Sequence, residues 1–139
     1  MSLNKVIIFF NLFLFSCTSN QIQAEQIKPE QVFCGNTMGQ FLKFDKNYLT
    51  SKSKKFEEVL SNINLNSINK GYNLIVTSGQ KPTGGFSLKF KNIKKKKEIF
   101  YVNFVDMKPP KNSKVTFAIT YPYCILKIEN LDKLKISIK

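Results

Sequence analysis

Apolar residues recur along this chain with two different periods, and the change between them divides it. Within Lys54–Ile63, Phe56, Val59, Leu60 and Ile63 fall on one stripe of a helix, with Ser53 placed to cap it. From Gly71 the spacing drops to two, the period of a strand with one covered face. Tyr72, Leu74 and Val76 alternate with Asn73 and Thr77, and Phe86, Leu88 and Phe90 alternate with Ser87, Lys89 and Lys91. Glu98–Val105 is almost continuously apolar, the pattern of a strand buried on both faces. Val115, Phe117, Ile119 and Tyr121 alternate with Thr116, Ala118 and Thr120, and Tyr123–Ile128 resumes the run after Pro122. Leu134, Ile136 and Ile138 face inward while Lys133, Lys135, Ser137 and Lys139 face out, as on a sheet edge. Lys94–Lys97, between Ile93 and Ile99, reads as a hairpin tip, and Met107–Ser113, with Pro109 and Pro110, as a loop. The pattern predicts an α+β fold, mostly antiparallel β, with one N-terminal helix packed on a sheet of about six strands.

Upstream of the helix the pattern weakens. Met1–Cys17 holds one charge, Lys5, then the apolar run Val6–Phe15, too short for a permanent membrane span and suited to a secretory signal peptide. Leu14-Phe15-Ser16-Cys17 has the layout of a bacterial lipobox, which makes Cys17 the expected lipidated N-terminus. Cleavage after Ala24 is the alternative and would release a soluble periplasmic or secreted protein. Both routes export the chain, and the first places it at the cell envelope as a membrane-anchored lipoprotein. Residues 18–31 are polar and lack an apolar period, so they read as a tether, leaving 32–139 as a single domain. In the first part of that domain only Phe41–Phe44 suggests a short strand.

Composition removes most catalytic chemistry. The chain has no histidine, so no His-based triad and no His-containing zinc site can form. Its 9 carboxylates include no pair spaced to share a pocket; Glu57 and Glu58 are adjacent and diverge on a helix. The expectation is a non-enzyme with no metal and no cofactor. All 22 basic residues are lysine, giving a net charge of +13. The tip at 94–97 reads either as a solvated turn that blocks edge pairing or as a contact with anionic membrane. A nucleic-acid partner is not expected, since the aromatics alternate inward rather than among the exposed lysines. In an oxidising compartment Cys34 and Cys124 are candidates for a disulfide, with Cys124 as a plain core residue the alternative.

Two elements carry the most specific signal. Gly79-Gln80-Lys81-Pro82-Thr83-Gly84-Gly85-Phe86 joins two strand patterns through a turn in which proline fixes φ and glycines permit φ > 0. Thr120-Tyr121-Pro122-Tyr123 follows further on. Together they resemble the C-terminal domain of the protease-complex-stabilising lipoproteins (PrcB type), which carries a G-x-[KR]-P-T-G-G-[YF] turn and a later T-Y-P-Y element, over about residues 54–130. The chain departs from that family in Phe86 for the usual Tyr, in Cys124, and in having no Trp ahead of the turn. The resemblance implies a binding module that stabilises or modulates a secreted or envelope protease. It points to Lys81, Pro82, Thr83, Gly84, Gly85 and Phe86 as partner-binding residues, with Thr120, Tyr121, Pro122 and Tyr123 as a second contact or as internal support. The competing reading is a structural envelope lipoprotein held to anionic lipid or cell-wall polymer by its lysine-rich surface.

Overall fold

The computed structural model of the chain describes residues 23–63 and 71–139. The leader Met1–Cys17 with its lipobox lies outside the described residues, as do 18–22 of the tether. In chain order the elements are β1 (Glu25–Ile27), β2 (Gln31–Thr37), a 3-10 turn (Gln40–Leu42), β3 (Tyr48–Thr50), α1 (Phe56–Asn62), β4 (Leu74–Thr77), β5 (Ser87–Lys96), β6 (Ile99–Met107), β7 (Tyr121–Lys127) and β8 (Lys133–Ile138).

The strands form two sheets of four, one in the order β1-β5-β6-β8 and the other β2-β7-β4-β3. Every pairing is antiparallel except β6 with β8. Between those two parallel strands the chain crosses to the other sheet as β7, the excursion that a parallel neighbour requires. The class is therefore the expected α+β, mostly antiparallel, but the single sheet of about six strands is replaced by two facing sheets.

That layering explains which runs are continuously apolar. Leu74, Val76, Cys124 and Leu126 point toward β5 and β6, joining Leu88, Ile93, Phe100, Val102 and Phe104 between the sheets. Their neighbours Ile75, Tyr121, Tyr123 and Ile125 point the other way, against Phe56 and Val59 of α1 and Leu42 of the 3-10 turn. The β2-β7-β4-β3 sheet is thus a central layer, buried on both faces along β4 and most of β7. The strand expected to be doubly buried, Glu98–Val105, is instead β6 of the outer sheet, where Phe100, Val102 and Phe104 are buried while Ile99, Tyr101 and Val105 are half-buried, with the Lys135 ammonium 5.8 Å from the centre of the Tyr101 ring.

Four further expectations are corrected. Part of the 18–31 tether is strand: Glu25–Ile27 pairs with Lys95–Ile93 of β5, and Gln31 begins β2. Polar strands at a sheet edge carry no strong period, so sequence alone reads them as linker. The hairpin tip is Lys97-Glu98, with Lys94, Lys95 and Lys96 still in β5 and paired to β6. Ser53 does not cap the helix: α1 begins at Phe56 after a turn in which the Ser53 hydroxyl accepts the Lys55 N–H at 3.4 Å. Most consequential, Val115–Thr120 is not a strand; it is irregular, with Phe117 96% and Ile119 49% exposed.

Candidate protein-docking site

Gly79–Phe86 and Val115–Thr120 lie against each other at one end of the sandwich. Lys81 and Thr120 form an isolated antiparallel bridge, with Lys81 N–H donating to the Thr120 carbonyl at 2.8 Å and Thr120 N–H returning to Lys81 at 3.1 Å. The Thr120 hydroxyl donates to the Thr83 carbonyl at 2.8 Å, and Gly84 N–H donates to the Thr116 carbonyl at 2.9 Å. At the base, the Tyr121 hydroxyl donates to Gln80 Oε1 at 3.2 Å. On the other flank Asn36 Nδ2 donates to the Phe86 carbonyl at 3.0 Å. Thr77 begins the loop, its hydroxyl donating to the Pro122 carbonyl at 2.9 Å and accepting the Gly79 N–H at 3.1 Å.

These bonds explain the loss of the strand at 115–120. A segment that spends its carbonyls and amides on a turn has none left in register for a sheet neighbour, so the alternating pattern survives while the ladder does not. They also change the expected role of the turn, since the Lys81, Thr83 and Gly84 backbone groups are consumed internally rather than displayed.

Two glycines of the turn are also closely packed. Gly85 has φ +87°, and a Cβ there would stand 2.8 Å from Pro109 Cβ and 3.0 Å from Val115 Cγ1. A Cβ on Gly84 would fall on the Thr116 hydroxyl. The Pro-Thr-Gly-Gly sequence is thereby packed against 109–116 as well as turned.

The proposed site residues divide by exposure. Pro82 and Gly85 are exposed, and Thr83 and Phe86 are half-buried. Lys81 is turned inward: its side chain is only 16% exposed, its ammonium pairs with Asp106 and it stands 5.5 Å from the centre of the Phe86 ring. Thr120, Tyr121, Pro122 and Tyr123 are buried. Burial pushes the Tyr123 phenol above its ordinary 10.0, so the ring stays neutral as a core group.

Sequence reasoning missed Phe117 and Ile119, which it assigned to the core face of a strand. The signal that could have found them is the loop composition just before, Pro109-Pro110 through Lys114, which makes a long ordered strand starting at Val115 less natural. The two side chains stand on the segment bonded to the turn, so Pro82, Gly85, Phe117 and Ile119 make a single exposed apolar rim on a fixed backbone.

Behind this rim, the β2 strand is stapled to β7. Cys34 and Cys124 are in register on neighbouring strands, with their sulfurs bonded at 2.04 Å. Residues 73–129 match the family model PrcB_C, described as PrcB C-terminal. This stretch is similar to the PrcB C-terminal domain. No curated protein and no solved structure matches the chain. The matched stretch contributes the two inner strands of each sheet, β5 with β6 and β4 with β7, together with both segments of the rim. Asn73 ties its two ends together, donating to the Ile128 carbonyl at 2.6 Å and accepting the Ile128 N–H at 3.0 Å. β1, β2, β3 and β8 lie outside the match and complete the sheets around it. Among the described residues no group of Cys, Asp or Glu could hold a metal ion.

Proposed function

We propose that this protein is an exported, lipid-anchored, non-enzymatic binding module that stabilises or modulates a secreted or envelope protease, docking through the Pro82–Phe86 turn and the Phe117–Ile119 segment. The observation that supports this most is Phe117, a large aromatic 96% exposed at the tip of a backbone already held by the turn. A solvent-facing aromatic contributes nothing to the core, and on a fixed backbone it offers a contact with little ordering entropy left to lose. The exposed, rigid Pro82 on the turn bonded to this segment extends the same surface. Aromatic anchors of this kind dominate protein interfaces. The PrcB C-terminal match supports the protease as the class of partner.

The test is co-purification of the full chain with a protease identified from its own envelope, together with the lifetime of that protease with and without the chain. Wild type should retain the protease, and Phe117→Ala combined with Ile119→Ala should release it. Retention by that variant at wild-type strength would move the docking surface elsewhere. Membrane partition of Cys17→Ser tests the anchor separately, and a native N-terminus at Glu25 would overturn it.

A further inference from the structure

Among the described residues no other layer covers the outer face of the β1-β5-β6-β8 sheet, and its charge is one-sided. Register places Lys89, Lys94 and Lys96 of β5 on the same side as Val105, Tyr101 and Ile99 of β6, and Lys135 opposite Tyr101 on β8. Lys91 and Lys139 join them at a hollow described below. Among the described residues no Asp or Glu side chain sits within this group; Glu98, at the hairpin tip, is engaged with Lys133 at 3.5 Å, and Asp106 is turned to Lys81.

The face is not flat. The ladder between β5 and β6 slips between Phe90 and Asn92, and the extra residue, Lys91, bends β5 away from β6. The slip opens a hollow of about 280 Å³ lined by Lys91, Lys94, Asn92, Asn103, Ser137 and Lys139. Asn103 Nδ2 donates to Asn92 Oδ1 at 2.7 Å, which leaves the Asn92 amide nitrogen as a donor on the floor. Three lysines, two asparagines and a serine line the concavity, and no Asp or Glu side chain is among its lining residues.

We infer that this hollow seats the phosphate of an anionic phospholipid headgroup and that the surrounding lysine face lies on the membrane. Lysine ammoniums supply the charge, while Asn92 and Ser137 suit the oxygens of a phosphate and its polyol. The position of the face favours lipid over a soluble polyanion, and this step rests on the anchored reading proposed above. β1 runs along the same sheet, with Gln26 opposite Lys94. From Cys17 to Glu25 the chain spans at most about 28 Å. An anchor at Cys17 therefore holds this sheet within reach of the bilayer. The Phe117 rim belongs to the turn end of the molecule, so one surface meets lipid while the other is left for a protein.

The experiment measures how the full chain partitions between vesicles of phosphatidylglycerol mixed into phosphatidylcholine and vesicles of phosphatidylcholine alone. An anchor inserts into both, so their ratio reports the lysine face. The ratio should fall roughly a hundredfold in Lys91→Gln, Lys94→Gln, Lys139→Gln combined, at about fivefold per lysine near an anionic surface. Removing the same charge from the opposite side, with Lys43→Gln, Lys54→Gln and Lys55→Gln, should change it by less than about threefold. All six lysines are exposed, so the unfolding midpoint should not move and should be measured alongside. A wild-type ratio near one, equal loss in both triple variants, or displacement from the vesicles by polyphosphate at matched phosphate concentration would each overturn the inference. Loss of total membrane association with the ratio intact would instead refute the anchor and leave the headgroup site standing.

Discussion

The turn end and the lysine face of this molecule solve recognition in opposite ways. At the turn end the backbone is irregular, its hydrogen bonds are used internally, and the side chains it shows to solvent include the apolar Pro82, Phe117 and Ile119. On the lysine face the backbone is a regular ladder broken once, and what it shows is charge on long, mobile stems. A rigid apolar rim is selective in shape and insensitive to salt, because burial of apolar area does not depend on ionic strength. A lysine face is tolerant of shape and weakens as salt screens it over about 10 Å. The same chain therefore carries one surface suited to a particular protein and one suited to any sufficiently anionic plane, and salt is the variable that separates them.

The largest expected effect removes the staple behind the turn end. Cys34→Ser or reduction of the Cys34–Cys124 bond opens a loop whose ends are separated by 90 residues, which costs about 4 to 5 kcal/mol on the chain-entropy estimate. Thermal unfolding with and without reductant reads the loss, and neither Cys34 nor Cys124 should react as a thiol in the folded protein. Amide exchange then sharpens the comparison. β2 pairs with β7 and holds Phe86 through Asn36, so the turn end should open first while β5 and β6 stay protected. Two reactive thiols in the folded, unreduced protein would end this prediction.

Next in size is Gly85→Val. A β-branched residue at φ +87°, with its Cβ 2.8 Å from Pro109, combines backbone strain with overpacking and should destabilise by about 2 to 4 kcal/mol. Protease capture and stability should fall together, while the phosphatidylglycerol preference measured below the unfolding midpoint should persist. Loss of both surfaces in a still-folded protein would show that the two ends are coupled.

The contrast also marks what could be read from sequence. Strands with one covered face announced themselves through their period: β5, and β8 with Leu134, Ile136 and Ile138, have their inward residues where the alternation puts them. The helix stripe was equally legible, since Phe56 and Val59 are buried and Leu60 and Ile63 pack beside them. The middle layer was not, because a strand covered on both sides has no alternation to separate it from a strand covered on one and half-buried on the other. β1 and β3 escaped notice for a different reason: each is three residues long, too short to show a period. At the candidate site, the Gly79–Phe86 turn was visible in its glycines and proline. The failure of Val115–Thr120 to form a strand was not, because it follows from hydrogen bonds to residues more than thirty positions earlier.

Phe117→Ala with Ile119→Ala should leave stability within about 0.5 kcal/mol, as expected for side chains outside the core. Capture of the protease should nevertheless fall at least about tenfold, with salt dependence unchanged. Stability measured by denaturant and binding measured at low and high salt check both halves. A drop of several kcal/mol in stability would mean that these residues are packed in solution and that the rim is a buried seam.

The smallest substitution is Thr83→Ala, and it separates contact from support within the turn. The Thr83 hydroxyl donates only to the neighbouring Gly84 carbonyl at 3.0 Å, while its backbone carbonyl, which the substitution keeps, holds the Thr120 hydroxyl. Stability should therefore change by less than about 1 kcal/mol, the scale of one partly exposed hydrogen bond. If the Thr83 hydroxyl faces the partner in the complex, capture falls with no change in the unfolding midpoint and no change in the response to salt. The opposite pattern has Thr83→Ala without effect on protease capture while Lys94–Lys97→Gln abolishes it in a salt-sensitive manner. That result would place the protein partner on the lysine face and reverse the assignment of the two surfaces.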